Sequence, residues 1–197
     1  MMFKKTGKKQ GNKFKKILAA ALVFCVMAAS FTQAAKAAPS GSKLEEAAAQ
    51  IIASETKTDD NAKAKLKKLF TYMQKEYGYA RKTGFDAYSG WEKDYAQEMF
   101  EDKKGSCYHY AAAYAFLTKK AAGCSVRIGV GQTDGFSGKL QKHAWAEVKL
   151  NGKWYICDPN MDKYAADSSG KYCLKKRSNL KNTYNKFKDA KYYNAAF

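Results

Sequence analysis

Asn151-Gly152 stands between two short runs that read as strands, His143 to Leu150 and Lys153 to Asp158. Both central residues of a type I′ turn need positive φ, which asparagine and glycine accept at least cost. The dipeptide is therefore the strongest short-range sign of a two-residue hairpin. A tight turn also sets the register, so it constrains more of the fold than any other feature of the chain. Leu150 pairs with Lys153, and Trp145 then falls opposite Asp158. His143, two residues before Trp145, lies on the same side of the sheet and diagonal to Asp158. Diagonal neighbours sit about 7–8 Å apart at the backbone, within reach of an imidazole–carboxylate hydrogen bond. A slip of one residue would put the two on opposite faces.

Upstream of the hairpin the apolar pattern is helical. Leu66, Leu69, Phe70, Met73 and Tyr77 form one stripe on a helix expected to begin at Asp59-Asp60 and to end at Gly78. A loop follows from Tyr79 to Gly90. Ser89-Gly90-Trp91-Glu92 has the pattern of a capping box and predicts a second helix, whose Tyr95, Ala96, Met99 and Phe100 share a face. A third helix is expected from Cys107 to Ala122, with Gly123 as its C-terminal cap. Ser125 to Gln132 then alternates around Val126, Ile128 and Val130, where Gly129 and Gly131 suggest a bend, and Gly170 to Leu174 is a further strand candidate. Helices first and an antiparallel sheet after them define an α+β domain, with the helices packed on the sheet.

The third helix opens on a cysteine. With Ser106 as N-cap, Cys107 sits at the positive end of a helix, which favours the thiolate. Free backbone N–H groups there can donate to an oxyanion. The interior, Ala111-Ala112-Ala113-Tyr114-Ala115, is small enough to lie close to a sheet. Cys107, His143 and Asp158 thus offer a nucleophile, a base and a base-orienter, the set required by thiol-based acyl transfer. Taken singly, each has an ordinary structural reading: a small buried thiol, a strand histidine, a turn aspartate. The sequence holds only two histidines, however, and the hairpin sets one of them beside an aspartate. Asp162, four residues after Asp158, reads as a turn residue that tolerates change to asparagine.

Residues 1–37 have the layout of a secretory signal peptide: lysines and no acid up to Lys16, an uncharged run from Ile17 to Phe31, and Ala35-Lys36-Ala37 as a cleavage site. A spanning helix would need about 20 apolar residues. Residues 38–58 read as a linker or a short helix from Lys43 to Ser54, and residues 59–197 as one domain with a basic C-terminal segment. The 36 basic residues outnumber the 18 acidic ones. The excess in the folded part is concentrated in residues 171–197, where Tyr184, Phe187, Tyr192, Tyr193 and Phe197 are interleaved with lysines. Such a face either packs its aromatics on the domain and solvates its lysines, or holds an anionic surface polymer. Nothing resembles a nucleic-acid reading element. No metal site is expected, since close Cys and His spacings are lacking apart from Cys107/His109. Cys157 could bridge to Cys173 or Cys124, or all three could remain buried thiols.

Gly105-Ser106-Cys107-Tyr108-His109-Tyr110-Ala111, then His143-Ala144-Trp145, then Gly152-Lys153-Trp154-Tyr155 leading to Asp158-Pro159, resembles the transglutaminase-like superfamily. In that family a G-x-C motif opens the core helix, H-A-W starts a strand, and an aromatic strand ends in D-P. The resemblance covers about residues 62–175 and implies a papain-like α+β core. It implies Cys107 as nucleophile, His143 as base and acid, and Asp158 as orienter. It leaves the reaction open among peptide hydrolysis, deamidation and acyl transfer to an amine, and the family includes inactive members. No cofactor is implied, and no calcium-binding loop is evident. Trp91 and Tyr88 are candidates for a second oxyanion donor, and Trp145 for a side chain that shields the site. His109 points away from the thiol and receives no role. The expectation is an exported, secreted or cell-surface monomer acting on protein or peptide substrates, cell-wall peptides among them. The alternative is a non-catalytic module that binds the cell surface and keeps the fold.

Overall fold

The computed structural model describes residues 42–166, 169–195 and 197. The expected signal peptide lies outside the described residues. Helices α1 (Lys43–Glu55), α2 (Ala62–Glu76) and α3 (Trp91–Asp102) precede the long helix α4 (Cys107–Ala122). A four-stranded antiparallel sheet follows, ordered β5-β4-β3-β6, from β3 (Val126–Thr133), β4 (Gln141–Leu150), β5 (Lys153–Cys157) and β6 (Lys191–Asn194). Two-residue strands β1 (Gly78–Tyr79) and β2 (Lys104–Gly105) pair in parallel on the helical side. Short helices α5 (Pro159–Tyr164) and α6 (Arg177–Leu180) lie after β5. The architecture is α+β, as expected.

Helix α4 is the axis of the core. Its residues from Cys107 to Thr118 are all buried, so it has no polar face and no amphipathic stripe. Ala111, Ala112, Ala113 and Ala115 leave room for close neighbours. Ala144, Ala146 and Val148 of β4 belong to the same apolar cluster on the sheet side, and Leu66, Leu69, Phe70 and Met73 of α2 join it from the helical side. Leu44, Ala48 and Ile51 of α1 are buried there too, so the folded unit starts ahead of the Asp59 boundary read from the sequence.

The hairpin has the expected register. Asn151 and Gly152 have φ of 49° and 75°, and Leu150 pairs with Lys153 through to Ala146 with Cys157. Several local expectations need correction. Helix α2 is capped by Asn61, whose side chain accepts from the Ala64 N–H, not by Asp59 or Asp60. Ser89 forms no capping box, because Gly90 in the left-handed conformation is the N-cap of α3. Gly129 and Gly131 make space more than they make a bend. A Cβ on Gly129 would meet the Trp145 ring, its cross-strand partner, at 2.4 Å. Residues 170–174 form no strand; the backbones of Ile156 and Lys175 exchange one isolated pair of bonds instead. The outer strand on the β3 side is β6, from the basic tail.

The tail is bound into the fold. Tyr184 is fully buried, and Phe197 packs edge-on against Phe116 at 4.9 Å. Glu147, also fully buried, is held by Arg127 at 2.6 Å and by Arg177 at 2.9 Å, and both guanidinium groups stack on Tyr192. Two arginines with good geometry offset the cost of burying this carboxylate. Cys107, Cys124, Cys157 and Cys173 are all free thiols. No helix among the described residues is long and apolar enough to cross a membrane.

Candidate active site

Cys107 is the first residue of α4, with Ser106 in extended conformation as N-cap. His109, at the third helical position, turns back and uses Nδ1 to accept from the Ser106 N–H at 3.1 Å. Its Nε2 meets Glu98 at 2.9 Å, which fixes the tautomer with the proton on Nε2. His109 therefore takes the place that Glu or Gln holds in an ordinary capping box. It anchors the turn that carries Cys107 without facing the thiol. Gly105 permits this, because a Cβ there would lie 2.5 Å from that of His109. Burial holds the His109 ring below the usual histidine range, against the pull of Glu98.

Asp158 follows the last residue of β5 and caps α5, with Pro159 at the first helical position. Its Oδ1 accepts from the Met161 N–H at 2.9 Å, and its Oδ2 meets His143 Nε2 at 2.6 Å. The Tyr184 hydroxyl donates to the same Oδ2 at 2.8 Å. One carboxylate thus has both oxygens committed, one to hold its own backbone and one to orient a ring. Since Nε2 is taken, Nδ1 is the ring nitrogen left for the Cys107 thiol, which lines the same cleft as His143. Burial disfavours the imidazolium, but the Asp158 charge and hydrogen bond, with a contribution from Cys107, outweigh it. The His143 pKa is pushed up to about 10.

Cys107 and His143 line one cleft of about 380 Å³, together with Tyr79, Phe136, Ser137, Gln141, Lys142, Asn160 and Tyr164. Phe136, on the loop between β3 and β4, lies edge-on to the His143 ring at 5.3 Å. Tyr79 and Tyr164 meet edge to face at 5.9 Å and are about half exposed. Trp91 and Tyr88 are not among the lining residues. Trp91 is buried among Phe85, Tyr95 and Tyr193, while the exposed Tyr88 donates to Asp94 at 2.8 Å. Trp145 shares the face of His143 and stacks on it at 6.4 Å, but it packs with Tyr184, Phe187 and Tyr192 rather than on α4. Asp162 is no permissive turn residue: it is buried and accepts from Gln74, Gly170 N–H and Tyr172 N–H at 2.7, 3.0 and 3.0 Å. Sequence reasoning missed Tyr184, which carries no motif and sits in a lysine-rich stretch. It also missed Asn160, although that residue stands next to Asp158-Pro159. No group of three or more His, Cys, Asp or Glu among the described residues could hold a metal ion.

A thiol at the start of a buried helix, facing a strand-borne histidine with a carboxylate behind it, in an α+β fold, defines a papain-like arrangement. The chain belongs to the transglutaminase-like superfamily, whose family model matches residues 46–159. Among solved structures it is similar to a candidate cysteine protease from Cytophaga hutchinsonii, at 13% identity and TM-score 0.50, over 77% of this chain and 47% of that one. A crystal structure of a TGase aligns at 17% identity and TM-score 0.47, over 59% of this chain and 31% of that one. The periplasmic domain of TgpA from Pseudomonas aeruginosa aligns at 20% identity and TM-score 0.41, over 62% and 44%. This chain spans less than half the length of each. A search of curated proteins finds no match.

Proposed function

We propose that the protein is an exported cysteine enzyme that forms a thioester with an amide substrate, with Cys107 as nucleophile, His143 as base and acid, and Asp158 as orienter. One observation carries this reading: Asp158 bonds His143 in a buried pair, and His143 and Cys107 line one cleft that a substrate can enter. In the reactive form the Cys107 proton rests on His143 Nδ1, consistent with the raised pKa of that ring, and the sulfur attacks the amide carbonyl carbon. As the C–N bond breaks, the imidazolium returns that proton to the leaving nitrogen. Water or an amine then attacks the thioester, gives its proton to His143 and releases the sulfur. The Asp158 carboxylate stabilises the imidazolium throughout. The Cys107 N–H, in the first helical turn, has no carbonyl partner within the helix and is available to the oxyanion.

Peptides suit the cleft, since Tyr79 and Tyr164 offer exposed aromatic walls, while Ser137, Gln141, Lys142 and Asn160 offer polar groups to a peptide backbone. Export rests on the pattern of residues 1–37, and cell-wall peptides follow as a substrate class. The buried His143–Asp158 pair beside Cys107 favours an enzyme over a module that only binds a surface. The test is selective alkylation by iodoacetamide at neutral pH. Burial raises the thiol pKa of Cys124 and Cys157 and pushes that of Cys173 up to about 11, so these three should react slowly. Cys107 should be modified first, and more slowly in His143→Ala. Cys107→Ala should keep the unfolding midpoint and lose all turnover of peptide amides. Turnover that survives in Cys107→Ala would sink the catalytic reading.

A further inference from the structure

Asn160 lines the cleft beside Cys107 and His143, is only 1% exposed, and neither its Oδ1 nor its Nδ2 has a hydrogen-bond partner. Among the described residues of the cleft it alone has that property. Buried amides in folded proteins are nearly always paired, so an unpaired one needs an explanation. Packing offers none, because an apolar side chain of similar size would fill the site without the penalty. Nor is its position accidental. Asp158 caps α5 through Met161 N–H, and Pro159 sets the first helical residue, so the turn that holds the His143 orienter also holds Asn160 at the cleft. A carboxamide presents one acceptor and two donors in a plane. Its complement is another amide.

Building on the thioester reading above, we propose that Asn160 is a substrate-binding residue that recognises the amide of the acyl donor. Nδ2 donates to the donor's carbonyl oxygen, and Oδ1 accepts from an amide N–H of the same ligand. An ester in the same place leaves Oδ1 without a donor. A site built around such a bond rejects the analogue that lacks it. Asn160 thereby selects amides over esters, independently of the thiol's own reactivity.

Two alkylating probes separate these roles, iodoacetamide and methyl iodoacetate. Each forms the same bond: Cys107 sulfur attacks the CH₂ carbon, iodide leaves, and the thiol proton passes to His143. They differ only in carrying an amide or an ester. The rate at Cys107 with methyl iodoacetate, against that of free cysteine, tests the nucleophile assignment. The ratio of the two rates, normalised to free cysteine, tests Asn160. The ratio should favour iodoacetamide in the wild type. It should fall about fivefold in both Asn160→Ala and the near-isosteric, apolar Asn160→Leu, the loss expected for one net hydrogen bond, and hold in Asn160→Asp, whose carboxylate still accepts from the amide N–H. The methyl iodoacetate rate in Asn160→Ala should fall by less than the iodoacetamide rate, since both probes lose the Nδ2 bond to the carbonyl oxygen but only the amide loses the Oδ1 bond. The unfolding midpoint of that variant should hold or rise. A ratio within twofold of wild type in both Asn160→Ala and Asn160→Leu overturns the proposal. So does an equal fall with both probes, which would mean that Oδ1 reads no N–H of the ligand.

Discussion

Replacing Asp158 by asparagine tests the site most sharply, because the change preserves shape and alters one proton. The carboxamide oxygen can still accept from Met161 N–H, so the α5 cap is retained, whereas alanine would lose it at about 1 kcal/mol. The other oxygen becomes an NH₂ group facing His143 Nε2 and the Tyr184 hydroxyl, which now meet a donor where both met an acceptor. His143 must accept at Nε2 and so carries its proton on Nδ1, the nitrogen that should take the thiol proton. The analogous change in serine-protease triads lowers turnover about 10⁴-fold, and a loss of at least about 10²-fold is expected here. Stability provides a second readout. In the wild type His143 is held at about 10, above its unfolded value near 6.5. The imidazolium–carboxylate pair therefore contributes stability fully below about pH 6.5, and that contribution is lost as pH rises through about 10. In Asp158→Asn burial and the smaller contribution of Cys107 remain to act on the ring, so most of this alkaline loss should vanish and the basic limb of the activity profile should move to lower pH. The assay is kcat/KM for a peptide amide from pH 5 to 11, with urea unfolding over the same range. Turnover within tenfold of wild type, or an unmoved basic limb, would refute the assignment of Asp158 as orienter.

Asp162→Asn should behave oppositely, destabilising the fold by about 2–3 kcal/mol in urea while leaving the alkaline limb in place, because its buried oxygens serve Gln74 and two backbone N–H groups. Gly129→Ala should cost about 1–3 kcal/mol, since its Cβ would lie 2.4 Å from the Trp145 ring; an unchanged unfolding midpoint would contradict that packing. The exposed Lys176, Lys181, Lys186 and Lys188 should bind anionic vesicles or cell-wall sacculi, more weakly as salt rises, because exposed charges are screened over about 8 Å at physiological salt. Changing all four to glutamine should abolish that binding, whereas Arg177 is left in place because it is engaged with Glu147.

Whether a feature can be read from the chain depends on how local its cause is. The hairpin at Asn151-Gly152, the stripe from Leu66 to Tyr77, the Gly123 cap and the place of Cys107 at a helix start all follow from interactions within a few residues. The His143–Asp158 contact is long-range in space but follows from a two-residue turn, because pairing register propagates along both strands. Other features depend on what a distant segment brings. Nothing near Tyr184 indicates that its hydroxyl reaches Asp158, 26 positions away, and Gly129 looks like a bend until Trp145 is laid across it. Asp162 reads as a turn residue until Gln74 arrives from α2. Asn160 shows no pattern at all, since an amide without a partner is recognised only when every neighbour is known. Residue order alone therefore specifies most of the secondary structure, the hairpin register and the three residues that could do chemistry, because backbone propensity and strand pairing act over short range. What surrounds those residues is set by packing, because burial and hydrogen-bond satisfaction depend on all the segments gathered around a group.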